Sequence, residues 1–155
     1  MNRQHFYAIQ NTWTGNTGEG TKSYTSYERS HILSADGKNE IVASSDSSFR
    51  GDAKKYNPEE LFLCSISSCH MLWYLHLCAD NGITVMSYHD EATGIMEENM
   101  NGGKFVQAVL KPHVKIREAD KSDLATRLHE EANRKCYIAN SCNFPIIHEP
   151  SISII

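Results

Sequence analysis

Asn57-Pro58-Glu59-Glu60-Leu61-Phe62-Leu63-Cys64-Ser65-Ile66-Ser67-Ser68-Cys69-His70-Met71-Leu72-Trp73-Tyr74-Leu75-His76-Leu77-Cys78-Ala79-Asp80-Asn81-Gly82 reads as one long helix with Cys69 near its middle. Asn57 can cap it, Pro58 suits the first helical position, and Glu59 and Glu60 complement the positive end of the helix dipole. Asn57 and Glu60 also stand at the spacing of a capping box. At the far end, Asn81-Gly82 supplies a left-handed stop. Roughly 24 residues at 1.5 Å each make a rod of about 36 Å. Leu61, Phe62, Ile66, Met71, Leu72, Trp73 and Leu75 fall on every side of it. A helix that is apolar all round is buried all round. One chain of 155 residues can hardly cover such a rod, so the sequence predicts a second copy that shares the burial.

Working outward, residues 5–13 alternate loosely and suggest a first strand. Residues 22–33 and 38–46 flank Ala35-Asp36-Gly37 and read as an antiparallel pair. A polar connection, 47–56, leads into the long helix. Beyond Gly82, segments 83–98 and 104–117 bracket Asn101-Gly102-Gly103, a strong hairpin signal, with Pro112 marking a bulge or an edge. Asp120 is the expected cap of a second helix whose stripe is Leu124, Leu128 and Ala132, ending near Cys136. Alternation in Ser151 to Ile155 suggests a short closing strand. The order predicts one α+β domain over residues 1–155 with antiparallel pairing.

The net charge is −4 and no basic cluster exists, which points away from nucleic acid. Met1 to His5 lack the apolar run of a signal peptide, so the expected compartment is the cytoplasm. Glu59, Glu60, His70, His76 and Asp80 argue against a membrane span in the long helix. Five cysteines in such a compartment should be mostly reduced. None forms a C-x-x-C pair, and the histidines show no metal spacing, so neither metal nor cofactor is expected.

Cys69 is therefore the candidate nucleophile, set against the plainer reading of a packing cysteine. Its thiol must ionise to react, and burial alone opposes that. The helix dipole fades within one turn, and Cys69 lies about three turns in. A cation from elsewhere is needed: Arg50 is the nearest candidate, Arg29 the reserve, and Glu59 could orient either. Glu59 and Cys69 are roughly 15 Å apart along a straight helix, so a shared site requires a broken helix or a partner chain. A symmetric dimer with antiparallel central helices would supply the second. Cys136, with Cys142 as a substitute, ends the second helix where a resolving thiol could reach Cys69. Cys64 and Cys78 point about 140° and 180° away from Cys69 and read as packing. His70 diverges from Cys69 by about 100°; His113, His129 and His148 have no partner in the sequence.

Asn57 to Leu61 followed by Cys69, then Ala132-x3-Cys136 and Ala139-Asn140-Ser141, resembles the OsmC/Ohr family of thiol peroxidases. The likeness covers nearly the whole chain. It implies an intertwined homodimer with sites at the subunit interface, and an Arg-Glu pair that holds the first cysteine as thiolate. On this resemblance Cys69 is the peroxidatic thiol, Cys136 the resolving thiol, Glu59 the orienting carboxylate and Arg50 the cation. The chain departs from the family in Tyr137, where many relatives have proline, and in the additional Cys64, Cys78 and Cys142. The implied function is reduction of organic hydroperoxides through a sulfenic acid and a Cys69–Cys136 disulfide, recycled by a dithiol, lipoyl-type in the Ohr branch. Phe62, Leu72 and Trp73 favour an organic substrate over hydrogen peroxide. A non-catalytic dimer that holds a small apolar ligand and a cysteine redox sensor are the alternatives.

Overall fold

A computed structural model describes residues 3–155, in two compact units, Met1–Leu61 and Phe62–Ile155. In the first unit, β1 (Gln10–Trp13), β2 (His31–Ser34) and β3 (Ile41–Ala43) form an antiparallel sheet in that order. The β2–β3 turn has Gly37 at φ 69°, as the Ala35-Asp36-Gly37 signal requires. The expected strand over residues 22–33 shrinks to its last part. Residues 20–26 instead form turns, because the Ser26 hydroxyl donates to the carbonyls of Gly20 and Ser23 and so competes with a ladder. Every β1 residue is exposed, as are Phe6, Tyr7 and Ile9 before it. Gly51 is obligatory, since a Cβ there would lie 1.6 Å from the Ser45 carbonyl oxygen.

Helix α1 (Pro58–Asp80) runs without interruption. Its start is the expected capping box: the Glu60 N–H donates to Asn57 Oδ1 at 2.8 Å, and the Asn57 N–H to Glu60 Oε2 at 3.1 Å. Its end is a Schellman motif, with Gly82 at φ 63°. There the Gly82 N–H donates to Ala79 O and the Ile83 N–H to Cys78 O. By length and composition the helix would suit a bilayer. In the second unit, however, one face of it packs into a protein core.

The expectation of burial on all sides is not met within one chain. Ile66, His70, Tyr74, Leu77 and Cys78 are buried, whereas Leu72 is 63% exposed and Phe62 and Cys64 also face outward. A single face is covered because one layer of strands and one helix contact the rod. Cys64, expected to pack, is exposed at the rim of a hollow it shares with Ser67, Ser68 and Met71.

The long hairpin forms, but it breaks in the middle. Strands β4 (Val85–Asp90) and β5 (Thr93–Asn99) descend; β6 (Gly102–Leu110) and β7 (Pro112–Ile116) return. β5 pairs with β6 and β4 with β7, both antiparallel, in separate sheets. The break falls where Pro112 cannot donate to a ladder. There the Asp90 carboxylate accepts from the Lys111 N–H and from the Ser67 hydroxyl of α1, which ties the bend to the helix.

α2 (Ser122–Lys135) begins later than expected. Asp120 does not cap it but lies in a 3-10 turn, Ala119–Lys121, and no side chain caps α2. Leu128 and Ala132 are buried as foreseen, Leu124 packs at the edge, and Ala125 and His129 complete the stripe. The tail contributes β8 (Ile146–His148), which the sequence reading missed, and β9 (Ser151–Ile154). Both pair in parallel, with β6 and β7 respectively, which corrects the expectation of purely antiparallel pairing. The chain returns from α2 to the same end of each strand rather than turning tightly, and such a crossover produces a parallel neighbour.

Two cores result. Tyr74, Leu77 and Cys78 of α1 meet Val114 and Ile116 of β7 and Ala125, Leu128 and Ala132 of α2. Ile66 meets Ala108 and Leu110 of β6, flanked by Phe144 and Ile146. Each fully buried aliphatic side chain here contributes about 1.5–3 kcal/mol.

Candidate active site

Cys69 sits in the third turn after the α1 cap, half-buried, with its thiol free. Cys136 caps the C-terminal end of α2 and is fully buried and likewise free. Its N–H closes the last helical turn onto Ala132 O at 2.9 Å, and its sulfur accepts the Ala139 N–H at 3.3 Å. The turn from Cys136 to Cys142 thus fixes the sulfur's direction, and that direction is toward Cys69. Burial, and then the neighbouring Cys69 sulfur, push the Cys136 thiol up to about 12. Burial thus favours the protonated form of the Cys136 thiol. Sequence spacing could not fix this approach, because it depends on how α2 crosses α1.

The surroundings are aromatic. Trp73, one turn from Cys69, meets Tyr137 edge-on at 5.8 Å and lies under the Lys135 ammonium at 5.6 Å. Leu72, Trp73 and His76 line a hollow of about 210 Å³. These are positions three, four and seven beyond Cys69, so they share its face of the helix. Tyr137 is itself 65% exposed.

The other candidates lie in the first unit or away from the pair. Arg50 ends a 3-10 turn with φ 66°, and it is the one non-glycine residue at positive φ among the described residues. Glu59 stands in the first turn of α1, ten residues before Cys69 on an unbroken helix, and its Oε2 is buried without a hydrogen-bond partner. Arg29 is already engaged: its guanidinium donates to the carbonyls of Tyr24 and Tyr27 and stacks on both rings. Cys142 donates to Ile138 O and packs in the second core, where burial raises its thiol. Cys78 is buried in the first core.

The sequence reading left three histidines without partners, and the structure joins two of them to His70. His70 Nε2 and His129 Nδ1 are 2.9 Å apart, His148 stacks on His70 at 4.4 Å between centroids, and Tyr74 stacks on His129 at 3.8 Å. A signal existed for His129: positions 125, 128, 129, 132 and 136 form a complete helical stripe. Nothing local marks His148, which arrives on the unforeseen β8.

The family described as OsmC-like protein matches residues 51–150 of this chain. No curated protein matches it. An OsmC-like protein of unknown function from Vibrio cholerae is 29% identical, with a TM-score of 0.86 over 96% of this chain and 100% of that one. An organic hydroperoxide resistance protein from Elizabethkingia anophelis is 20% identical, with a TM-score of 0.66 over 99% and 100% of the two chains. An organic hydroperoxide resistance protein from Legionella pneumophila is 16% identical, with a TM-score of 0.64 over 97% and 99%. At such identities the last two show a shared fold. With 100 consecutive residues matched, the chain belongs to the OsmC-like protein family.

Proposed function

We propose that the protein is a thiol peroxidase that reduces organic hydroperoxides. The observation that carries this reading is the approach of Cys136, protonated and buried, to the free sulfur of Cys69. In the proposed cycle the Cys69 thiolate attacks the distal peroxide oxygen and the O–O bond breaks. The alkoxide takes a proton and leaves as alcohol, and Cys69 becomes a sulfenic acid. The Cys136 thiol then displaces water to form a disulfide, which an external dithiol, lipoyl-type in this proposal, reduces with two electrons and two protons. Leu72, Trp73 and Phe62 offer apolar surface for an alkyl group.

Arg50 and Glu59 are assigned to hold Cys69 as thiolate. Two features support the assignment. A left-handed arginine costs about 1–2 kcal/mol, and such strain gathers at functional positions. The unpaired Glu59 oxygen is a ready acceptor for a guanidinium. Because α1 does not break, the proposal requires a homodimer in which one protomer's Glu59 serves the other's Cys69. The exposed side of α1 around Leu72 is apolar surface for a second copy to cover.

The test is consumption of tert-butyl hydroperoxide and of hydrogen peroxide with dihydrolipoamide as reductant, comparing the unaltered protein with Cys69→Ser. Loss of turnover in the variant, with the organic peroxide preferred by the parent, is expected. Equal turnover in the variant would eliminate the mechanism.

A further inference from the structure

The imidazoles of His70, His129 and His148 come from α1, α2 and β8 and meet inside the second unit. His70 and His129 are each 1% exposed. One hydrogen bond serves the three rings, and His70 Nδ1, His129 Nε2 and His148 Nε2 are buried without partners. A metal does not account for them. The His70 ring is nearly parallel to the other two, at 13° and 26°, so lone pairs that lie in the ring planes do not converge on one ion. His70 and His129, buried and bonded edge to edge with the half-buried His148 stacked on His70, are tolerable only while neutral, since burial penalises the charged form and a charge on one ring opposes charge on the next.

Placement gives this cluster a consequence. His70 follows Cys69 directly, and His129 lies seven residues, two helical turns, before Cys136. The contacts that join α1 to α2 at the cluster, together with the apolar core of Tyr74, Leu77, Leu128 and Ala132, therefore bear on the distance between the two sulfurs. We propose that the His70–His129–His148 stack positions Cys136 for the resolving step and acts as an acid-release catch: neutral, it clamps α2 to α1; protonated in mild acid, it frees α2 and leaves oxidised Cys69 without its resolving thiol. The proposal rests on the peroxidase reading for its chemical consequence but not for the catch itself.

The charge environment supports release rather than tolerance of charge. Burial first, then the neighbouring imidazoles, hold His70 and His129 down to about 3. His148 is also lowered by burial, opposed by the Asp90 carboxylate on β4. The other titratable groups about the stack, Tyr74 and Cys78 on α1 and Tyr88 on β4, are all raised by burial and stay neutral through this range. Asp90 is the carboxylate that acts on His148, and its oxygens already accept from the Ser67 hydroxyl and the Lys111 N–H. A ring that leaves the stack regains an ordinary value near 6.5, so at pH 4.5 each such ring favours the open form by about 100-fold.

Amide hydrogen exchange on the reduced full chain, as protection factors at pH 7.0 and 4.5, tests the catch. The expected result is a fall of at least about 100-fold in α2, the figure for one freed ring, with a smaller fall in β6. Unchanged α2 protection, or a parallel fall in β6, overturns it. His129→Phe keeps a ring of similar size that cannot take a proton, and it should reduce the pH dependence at least tenfold. If that variant fails to fold, His148→Phe replaces it, and the unaltered protein's pH comparison already decides. In a second arm, tert-butyl hydroperoxide is added with dimedone present. A rising share of dimedone on Cys69 over Cys69–Cys136 disulfide at pH 4.5, in the parent but not in His129→Phe, supports the catch. Equal shares at both pH values overturn its link to the resolving step. Absence of both products at both pH values counts against the peroxidase reading, and the exchange arm then decides the catch alone.

Discussion

Cys69 and His70 are consecutive on α1, yet the sulfur turns toward Cys136 at the end of α2 while the imidazole packs on His129 two turns earlier. The two pairs span the same helix–helix interface with opposite chemistry. Of the cysteines, Cys69 is half-buried and Cys136 fully buried; Leu72, Trp73 and His76, on the Cys69 side of α1, line a hollow, and Tyr137, next in the chain after Cys136, is exposed. The histidines sit in the interior of the interface, stacked and held neutral. One residue step, about 100° around the helix, separates a half-buried thiol from a fully buried imidazole. A reactive residue needs access and a charge partner, and the residue beside it can anchor the scaffold because it faces the other way.

The comparison is broken most severely at Tyr74, which is fully buried and stacked on His129. Tyr74→Ala should destabilise the protein by about 3–5 kcal/mol in chemical denaturation and reduce disulfide formation with it. If stability fell by less than 1 kcal/mol, the stack would not be the anchor. Cys136→Ala should do the reverse. Steady-state peroxide turnover should drop about a hundredfold, equivalent to about 2.7 kcal/mol, while one stoichiometric oxidation of Cys69 survives. Retained turnover would pass the resolving role to Cys142.

Acid addresses the histidines alone. His70 and His129 have folded values near 3 and unfolded values near 6.5, so between these limits the unfolded chain binds more protons and stability falls as pH falls. From pH 7 to pH 5 the loss should be on the order of 2 kcal/mol for each imidazole, read from urea midpoints. A flat profile over that range would show that the rings are already wet. The smallest effect expected is at the shared scaffold: Asn57→Ala removes the acceptor for the Glu60 N–H and should cost about 1 kcal/mol. Since it touches neither pair, the ratio of sulfenic acid to disulfide should stay unchanged, and a shift in that ratio would mean that helix entry and site are coupled.

How much of this was legible beforehand follows from the range of the interactions. The ends of α1 are decided by contacts within three to five residues: Asn57 with Glu60, and Cys78 with Ile83. The candidate sulfurs were legible too, because the Asn57 to Leu61 and Cys69 spacing is local and Cys136 lies where a helical pattern stops. The break in the hairpin was only half visible. Pro112 signalled it, but Asp90 fixes its place through Ser67 and Lys111, each more than twenty residues away. The stack was not legible as a unit, since His70 and His129 are 59 residues apart and meet only because α2 crosses α1.

By itself, then, the order of side chains determined where α1 begins and ends, that its apolar side chains fall on every side of it, and which sulfurs are candidates. Those outcomes rest on capping, turn conformations and helical periodicity, which act within a few residues. Tertiary structure alone decided that Cys136 approaches Cys69, that three distant imidazoles meet at one site, and that β8 and β9 join their sheets in parallel. Each of those depends on closing long loops, where burial in a shared core chooses among partners that look alike in the chain.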